Sequence, residues 1–161
     1  LRGLGYDAER GGFPGEPVRA ADAGTLRDLA SRARLDLVLR TQIQSAQAMG
    51  QVARSEDPVV MELYPAYELV RGAYRVRPRG DWPQRWRAAG EAVGWQGAAR
   101  GRMIALKTSP VWQALGEGAG GFRDTLGNPW PPFAWRSSHV WRDRNRDEAA
   151  EAALLPAGEA A

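Results

Sequence analysis

The 161-residue sequence contains no cysteine, a single histidine (His139) and a single lysine (Lys107). Without cysteine, neither a disulfide framework nor a thiolate metal site can form. With one histidine, a histidine-based catalytic pair would rest on a single side chain. No apolar run approaches the roughly 20 residues needed to cross a bilayer, so no membrane span is expected. No basic stretch followed by an apolar run marks a signal peptide. The first residue is Leu1 rather than methionine, which leaves open whether Leu1 is the native start. Metalloprotease, dinucleotide, phosphate-loop and calcium-loop patterns are all absent, and Glu62, Glu68, Asp81 and Asp124 are too scattered to read as a metal cluster or an acid–base pair. No cofactor is expected.

Hydrophobic residues make up 43% of the chain and charged residues 25%, an ordinary balance for one folded domain with a core. The net charge is +3, carried almost entirely by arginine. An excess of Arg, Ala and Gly is also what a GC-rich genome writes by default. Acidic residues interleave with the arginines, which argues against a dense nucleic-acid stripe. Any DNA contact is expected to be weak.

The most distinctive stretch is residues 126–141, LGNPWPPFAWRSSHVW, with three prolines, three tryptophans and a phenylalanine. Pro129, Pro131 and Pro132 fix φ and push their predecessors out of the helical region, so the stretch must be extended and irregular. Each aromatic ring can bury roughly 150–250 Å². The stretch therefore reads as a strap closing over an apolar surface, with Asn128, Pro129, Trp130, Pro131, Pro132 and Phe133 as its clamp.

Upstream, residues 1–24 are rich in Gly, Pro and charge without a period and read as an extended arm or linker. At Thr25, followed three residues later by Asp28, a capping-box pattern opens a helical period expected to run over 25–54. Its apolar stripes, Leu26, Leu29, Ala33, Leu37 and Leu35, Leu39, Gln42, Ala46, Met49, with Val38 between them, predict a helix sandwiched by other elements. The glutamine-rich part, 41–47, reads either as a face for close helix approach or as a solvated face. A short helix over 59–64, a strand or hairpin over 67–77, and a helix over 82–90 capped by Asp81 follow. Trp82 and Trp86 share one face at i, i+4 spacing. With Arg85 and Arg87 beside them they read as core, or as a single-strand nucleic-acid surface. A strand over 102–107, a helix opened by Ser109 and Pro110 and stopped by Gly116, with Trp112 inside it, and a small helix over 148–155 complete the pattern. Residues 156–161 should fray. The fold class predicted is α+β: one long N-terminal helix packed on a small sheet and short helices, closed by the Pro/Trp-rich segment.

Arg136, His139, Arg142 and Arg144 form the densest basic cluster, and these four could hold phosphate. The competing reading is a solvated arginine-rich loop, with His139 hydrogen-bonded to backbone.

Two stretches together resemble a known family. Residues 34–41, RLDLVLRT, with Ala46 and Gly50 downstream, are similar to the helix that opens the phage head morphogenesis domain of Mu protein F-like minor head proteins. Residues 107–112, KTSPVW, followed by 127–133, GNPWPPF, resemble the proline-rich closing segment of such prophage proteins. The intervening stretches at 64–70 and 81–90 are similar as well, so the resemblance covers roughly residues 25–155. The chain departs from the pattern at Gln42, where many relatives carry an acid, in the lack of cysteines near the end of the domain, and at Arg136-Ser-Ser-His139. The resemblance implies a non-enzymatic minor head protein acting near the portal in capsid assembly or DNA packaging. It would sit in the host cytoplasm during assembly and then in the virion, with portal and capsid proteins as partners. It places Arg40 and Thr41 among the interaction residues, with Trp82, Trp86, Trp112 and the clamp. A nuclease or toxin-like effector domain using the cluster over 136–144 is the alternative, and weak DNA binding at the packaging entrance is a third reading that predicts steeply salt-dependent affinity.

Overall fold

A computed structural model describes residues 23–28, 31–72, 79–95 and 101–155. The arm over 1–22, the second half of the expected hairpin (73–78) and the tail over 156–161 lie outside the described residues. The fold is α+β. Its elements in chain order are α1 (Arg32–Arg54), α2 (Pro58–Leu63), β1 (Ala66–Arg71), α3 (Trp82–Ala92), β2 (Ile104–Leu106), α4 (Val111–Glu117), β3 (His139–Arg144) and α5 (Arg146–Glu151). The chain divides into two compact units, Leu1–Ile43 and Gln44–Ala161.

In the first unit, the helix begins seven residues later than the capping pattern at Thr25 predicts. The Asp28 carboxylate accepts from Gly24 N at 2.9 Å, and the Thr25 carbonyl accepts from Asp28 N at 3.2 Å and from the Ser31 hydroxyl. These bonds close a turn instead of starting a helix. Ser31 is the working cap, its hydroxyl accepting from Arg34 N at 3.2 Å, three residues on. The expected sandwich is also corrected here, because Leu35, Val38, Leu39 and Ile43 are exposed, Leu39 by 60%.

In the second unit, the rest of α1 packs through its small and polar residues. Ala48 is buried, while Met49 is exposed. Gln51 Nε2 donates to the Trp141 carbonyl at 3.4 Å, and the Tyr67 hydroxyl donates to the Gln51 carbonyl at 3.1 Å. Hydrogen bonding, rather than burial of the Leu/Met stripe, holds this half of the helix on the sheet. Asp57 caps α2 by accepting from Val59 N at 2.8 Å, with Pro58 in the first turn.

The sheet has the order β2-β1-β3, with both pairings antiparallel. β1 is the central strand, and Ala66, Tyr67, Glu68 and Leu69 are all buried. On one face, Tyr67, Leu69, Ala105 and Trp141 join Trp82, Trp86, Val111, Trp112, Leu115 and Phe133 in the main core. On the other, Ala66 and Ile104 pack against Ala149 and Ala152 at α5. Glu68 lies on this second face, paired with Arg102 at 2.9 Å and with Arg144, which also meets Glu148 at 2.9 Å. Hydrogen bonds from Arg102, stronger than the opposing effect of burial, hold the Glu68 carboxyl below its usual range, and Arg144 adds to them. Asn145 and Glu148 form a full capping box for α5.

β3 is the main departure from the expected topology. The stretch over 126–141 reads in sequence as one extended strap, yet only its first part is a strap. Residues from His139 on pair with β1 over six positions, from Ala66↔Arg144 to Arg71↔His139. Alternation explains this: His139 and Trp141 point inward, while Arg142 is exposed.

Candidate functional site

The strap proper leaves α4 and returns to it as a closed loop. Its neck is the Thr125↔Ala134 bridge, with Leu126 N donating to Phe133 O and Trp135 N to Asp124 O, both at 3.0 Å. Gly116 was expected to stop α4, but it lies inside the helix, which ends at Gly118 with φ 82°. Gly116 serves the strap instead. Its carbonyl accepts from Gly127 N at 3.0 Å, and a Cβ at 116 would lie 2.0 Å from Asn128 O. The Asn128 side chain donates to the Trp130 carbonyl, and Pro131 and Pro132, joined by a cis peptide, are fully buried.

The clamp residues meet the core as a set. Phe133 stacks on Trp112 with centroids 6.1 Å apart, and Trp112 in turn meets Trp86 at 5.2 Å and Trp141 at 5.3 Å. Trp130 Nε1 donates to the Ser45 hydroxyl of α1 at 3.0 Å, tying the strap to the helix. Trp82 lies beside His139, 4.4 Å between centroids. Trp135, by contrast, is 39% exposed and outside the clamp. Arg40 is exposed, and Thr41 is buried with its hydroxyl donating to the Leu37 carbonyl at 2.8 Å.

Burial of Trp82 and Trp86 corrects the single-strand nucleic-acid reading of that helix, and Arg85 is buried with them. Its guanidinium binds Asp81 at 2.8 Å and Asp124 at 2.7 Å while lying 4.2 Å above the Phe122 ring. Arg79 reaches the same two acids, at 3.1 and 2.6 Å. Burial acts to raise both carboxyls, but the hydrogen bonds from the two arginines outweigh it and hold Asp81 and Asp124 below their usual range. Asp81 therefore spends its side chain on arginine and makes no cap bond to α3. The cluster fastens α3 to the start of the strap.

The expected phosphate set does not converge. His139 is 5% exposed, and burial, with Arg71 nearby, pushes its pKa down to about 4, so the ring is neutral near pH 7. Arg142 and Arg144 lie on the opposite face of β3, and Arg144 is committed to Glu68 and Glu148. Arg136 is exposed in a tight turn at φ 61°. Among the described residues, no group of three or more His, Asp or Glu is placed to hold a metal.

Folding assembles instead a site absent from the sequence reading. A cleft of about 330 Å³ opens in the second unit, walled by Val52, Met61, Trp112, Pro129, Trp130 and Trp141. Ser55, Tyr67 and Lys107 form its polar end. Lys107 Nζ, on a side chain only 3% exposed, donates to Ser55 Oγ at 2.9 Å and lies 4.6 Å above the Tyr67 ring. The Ser55 and Tyr67 hydroxyls are 2.7 Å apart. Burial raises the Tyr67 pKa, keeping the phenol neutral. Asp143 is ion-paired with both Arg54 and Lys107, the latter at 2.8 Å, but its Oδ1 receives no aligned hydrogen bond. The Lys107 contact is an ion pair, since Coulomb attraction tolerates an angle that a hydrogen bond does not. The available signal was the solitary lysine, placed at the end of an apolar strand in a chain that otherwise uses arginine.

Comparison with protein-family models, with curated proteins and with solved structures found no match.

Proposed function

We propose that this chain is a non-enzymatic structural or morphogenesis protein of a phage or prophage head, docking on other head proteins near the portal during capsid assembly or DNA packaging. The observation that carries the reading is the exposed row Leu35, Val38, Leu39 and Ile43 on α1. Four large apolar side chains on one stretch of helix are costly to leave in water, and this is the usual mark of a protein–protein surface. The row falls within the stretch 34–41 and just beyond it, where the sequence resembles the opening helix of minor head proteins. The nuclease or toxin-like alternative ranks second, because its histidine is buried and one of its arginines is held in ion pairs.

Co-expression with the neighbouring portal and capsid proteins, followed by particle purification, tests the reading. The protein is expected in procapsids or heads, and a Leu35→Glu/Leu39→Glu variant is expected to be lost from them with an unchanged melting temperature. Absence of the wild-type protein from both particle types would overturn it. Plasmid and RNA cleavage assays on wild type and His139→Ala are expected to give equal, negligible activity; histidine-dependent cleavage would establish the alternative.

A further inference from the structure

We propose that the cleft beneath the strap is a binding site for a small free monocarboxylate with a flat apolar body, the ring lying among the tryptophans and the carboxylate meeting Lys107. This assignment is independent of the head-protein reading.

Size, shape and charge each select the occupant. About 330 Å³ is at the small end of ligand pockets and suits one ring system with a short side chain. Trp130, partly exposed, lines it together with the buried Trp112 and Trp141, so the wall an aromatic body meets is itself aromatic. At the polar end, Lys107 carries three donors on a side chain 97% buried, yet makes one aligned hydrogen bond, to Ser55 Oγ. Lys107 and Asp143 balance each other at the floor, and Arg54, on the other Asp143 oxygen, is more than half exposed and adds positive charge at the rim. Glu56, the acid in the lining, is exposed and screened by water. An incoming carboxylate supplies an acceptor for the Lys107 donor left over after Ser55 and Asp143. A buried ammonium gains most from an anionic acceptor in a site closed by apolar walls.

Isothermal titration with 3-phenylpropionate, 3-phenyl-1-propanol and acetate tests the proposal on the full chain. Phenylpropionate is expected to saturate one site, the alcohol to bind about tenfold more weakly, and acetate not to saturate. Lys107→Met should remove the preference for the carboxylate and leave the alcohol's affinity unchanged. Val52→Trp, at a wall position away from the floor, should abolish binding of both ring compounds with wild-type melting. If Lys107→Met does not fold, the wild-type carboxylate-to-alcohol ratio and Val52→Trp decide the matter. Equal affinity for acid and alcohol would overturn the carboxylate assignment, as would binding that survives Val52→Trp. Lack of saturation by phenylpropionate would overturn the site itself.

Discussion

Gly116 and Asn128 approach so closely that a single methyl group at 116 would lie 2.0 Å from the Asn128 carbonyl oxygen and 2.7 Å from its carbon. No real side chain survives such contact with backbone, so the strap can seat on α4 only because residue 116 has no Cβ. Gly116→Ala should lift the strap and cost about 3 kcal/mol, at the upper end of what overpacking normally does. Urea unfolding checks this, and a Gly121→Ala control probes a glycine with open space but positive φ, where strain of about 1 kcal/mol is expected.

Two aromatic residues on either side of the strap's neck at Ala134 should behave oppositely. Phe133, 1% exposed and stacked on Trp112, should cost about 3–5 kcal/mol on truncation to alanine. Trp135, 39% exposed, should cost under about 1 kcal/mol. Comparable losses for the two in thermal or urea melts would contradict the placement of the clamp.

Arg85 links α3 to the strap through two carboxylates and the Phe122 ring. Arg85→Leu should destabilise by roughly 2–4 kcal/mol, below the figure for a fully buried pair because Asp81 and Asp124 remain 28% and 38% exposed. Arg85→Lys should recover less than half of that loss. An ammonium keeps the charge but cannot fork to two acids while lying flat on a ring. Denaturant midpoints of the three proteins order the outcome.

Acid should weaken the fold in two stages. The folded His139 pKa is about 4 against an ordinary 6.5, so between these values the unfolded chain binds more protons. Stability is then fully present above pH 6.5 and is lost as pH falls towards 4, by about 3 kcal/mol at most. Glu68, Asp81 and Asp124, also depressed, add their losses only below their ordinary values of 4.5 and 3.8. In urea unfolding across pH, His139→Phe should flatten the slope between 6.5 and 4 and leave the lower stage in place. An unchanged slope above pH 4.5 would place the acid sensitivity elsewhere.

The local signals were legible in the sequence. Pro58 after Asp57, Asp81 before Trp82 and the apolar run at 102–107 all mark observed elements, because prolines, polar helix starts and short apolar runs act over three or four residues. Asp81 nevertheless makes no cap bond, and the small helix expected over 148–155 runs over Arg146–Glu151. Trp82 and Trp86 at helical spacing were correctly legible as core, and Phe133 as part of a clamp. The same local reading fails at Thr25, where Asp28 turns back to Gly24 N instead of capping a helix. It also fails over 139–141, since a strand that pairs with residues about 70 positions earlier carries no marker of its partner.

The sequence by itself determined the α+β class, the absence of thiolate chemistry, the long helix and a proline-fixed aromatic closure over a tryptophan core. Each follows from residue type and spacing alone. Tertiary structure decided which face of the second-unit part of α1 packs, choosing Ser45, Ala48 and Gln51 over Met49. It buried His139 and separated it from the arginines beside it in sequence. It also carried Lys107 to Ser55, 52 positions away, and to Asp143 on β3. Charge and burial at a position depend on what the rest of the chain brings to it, and that is not written in the residue or its neighbours.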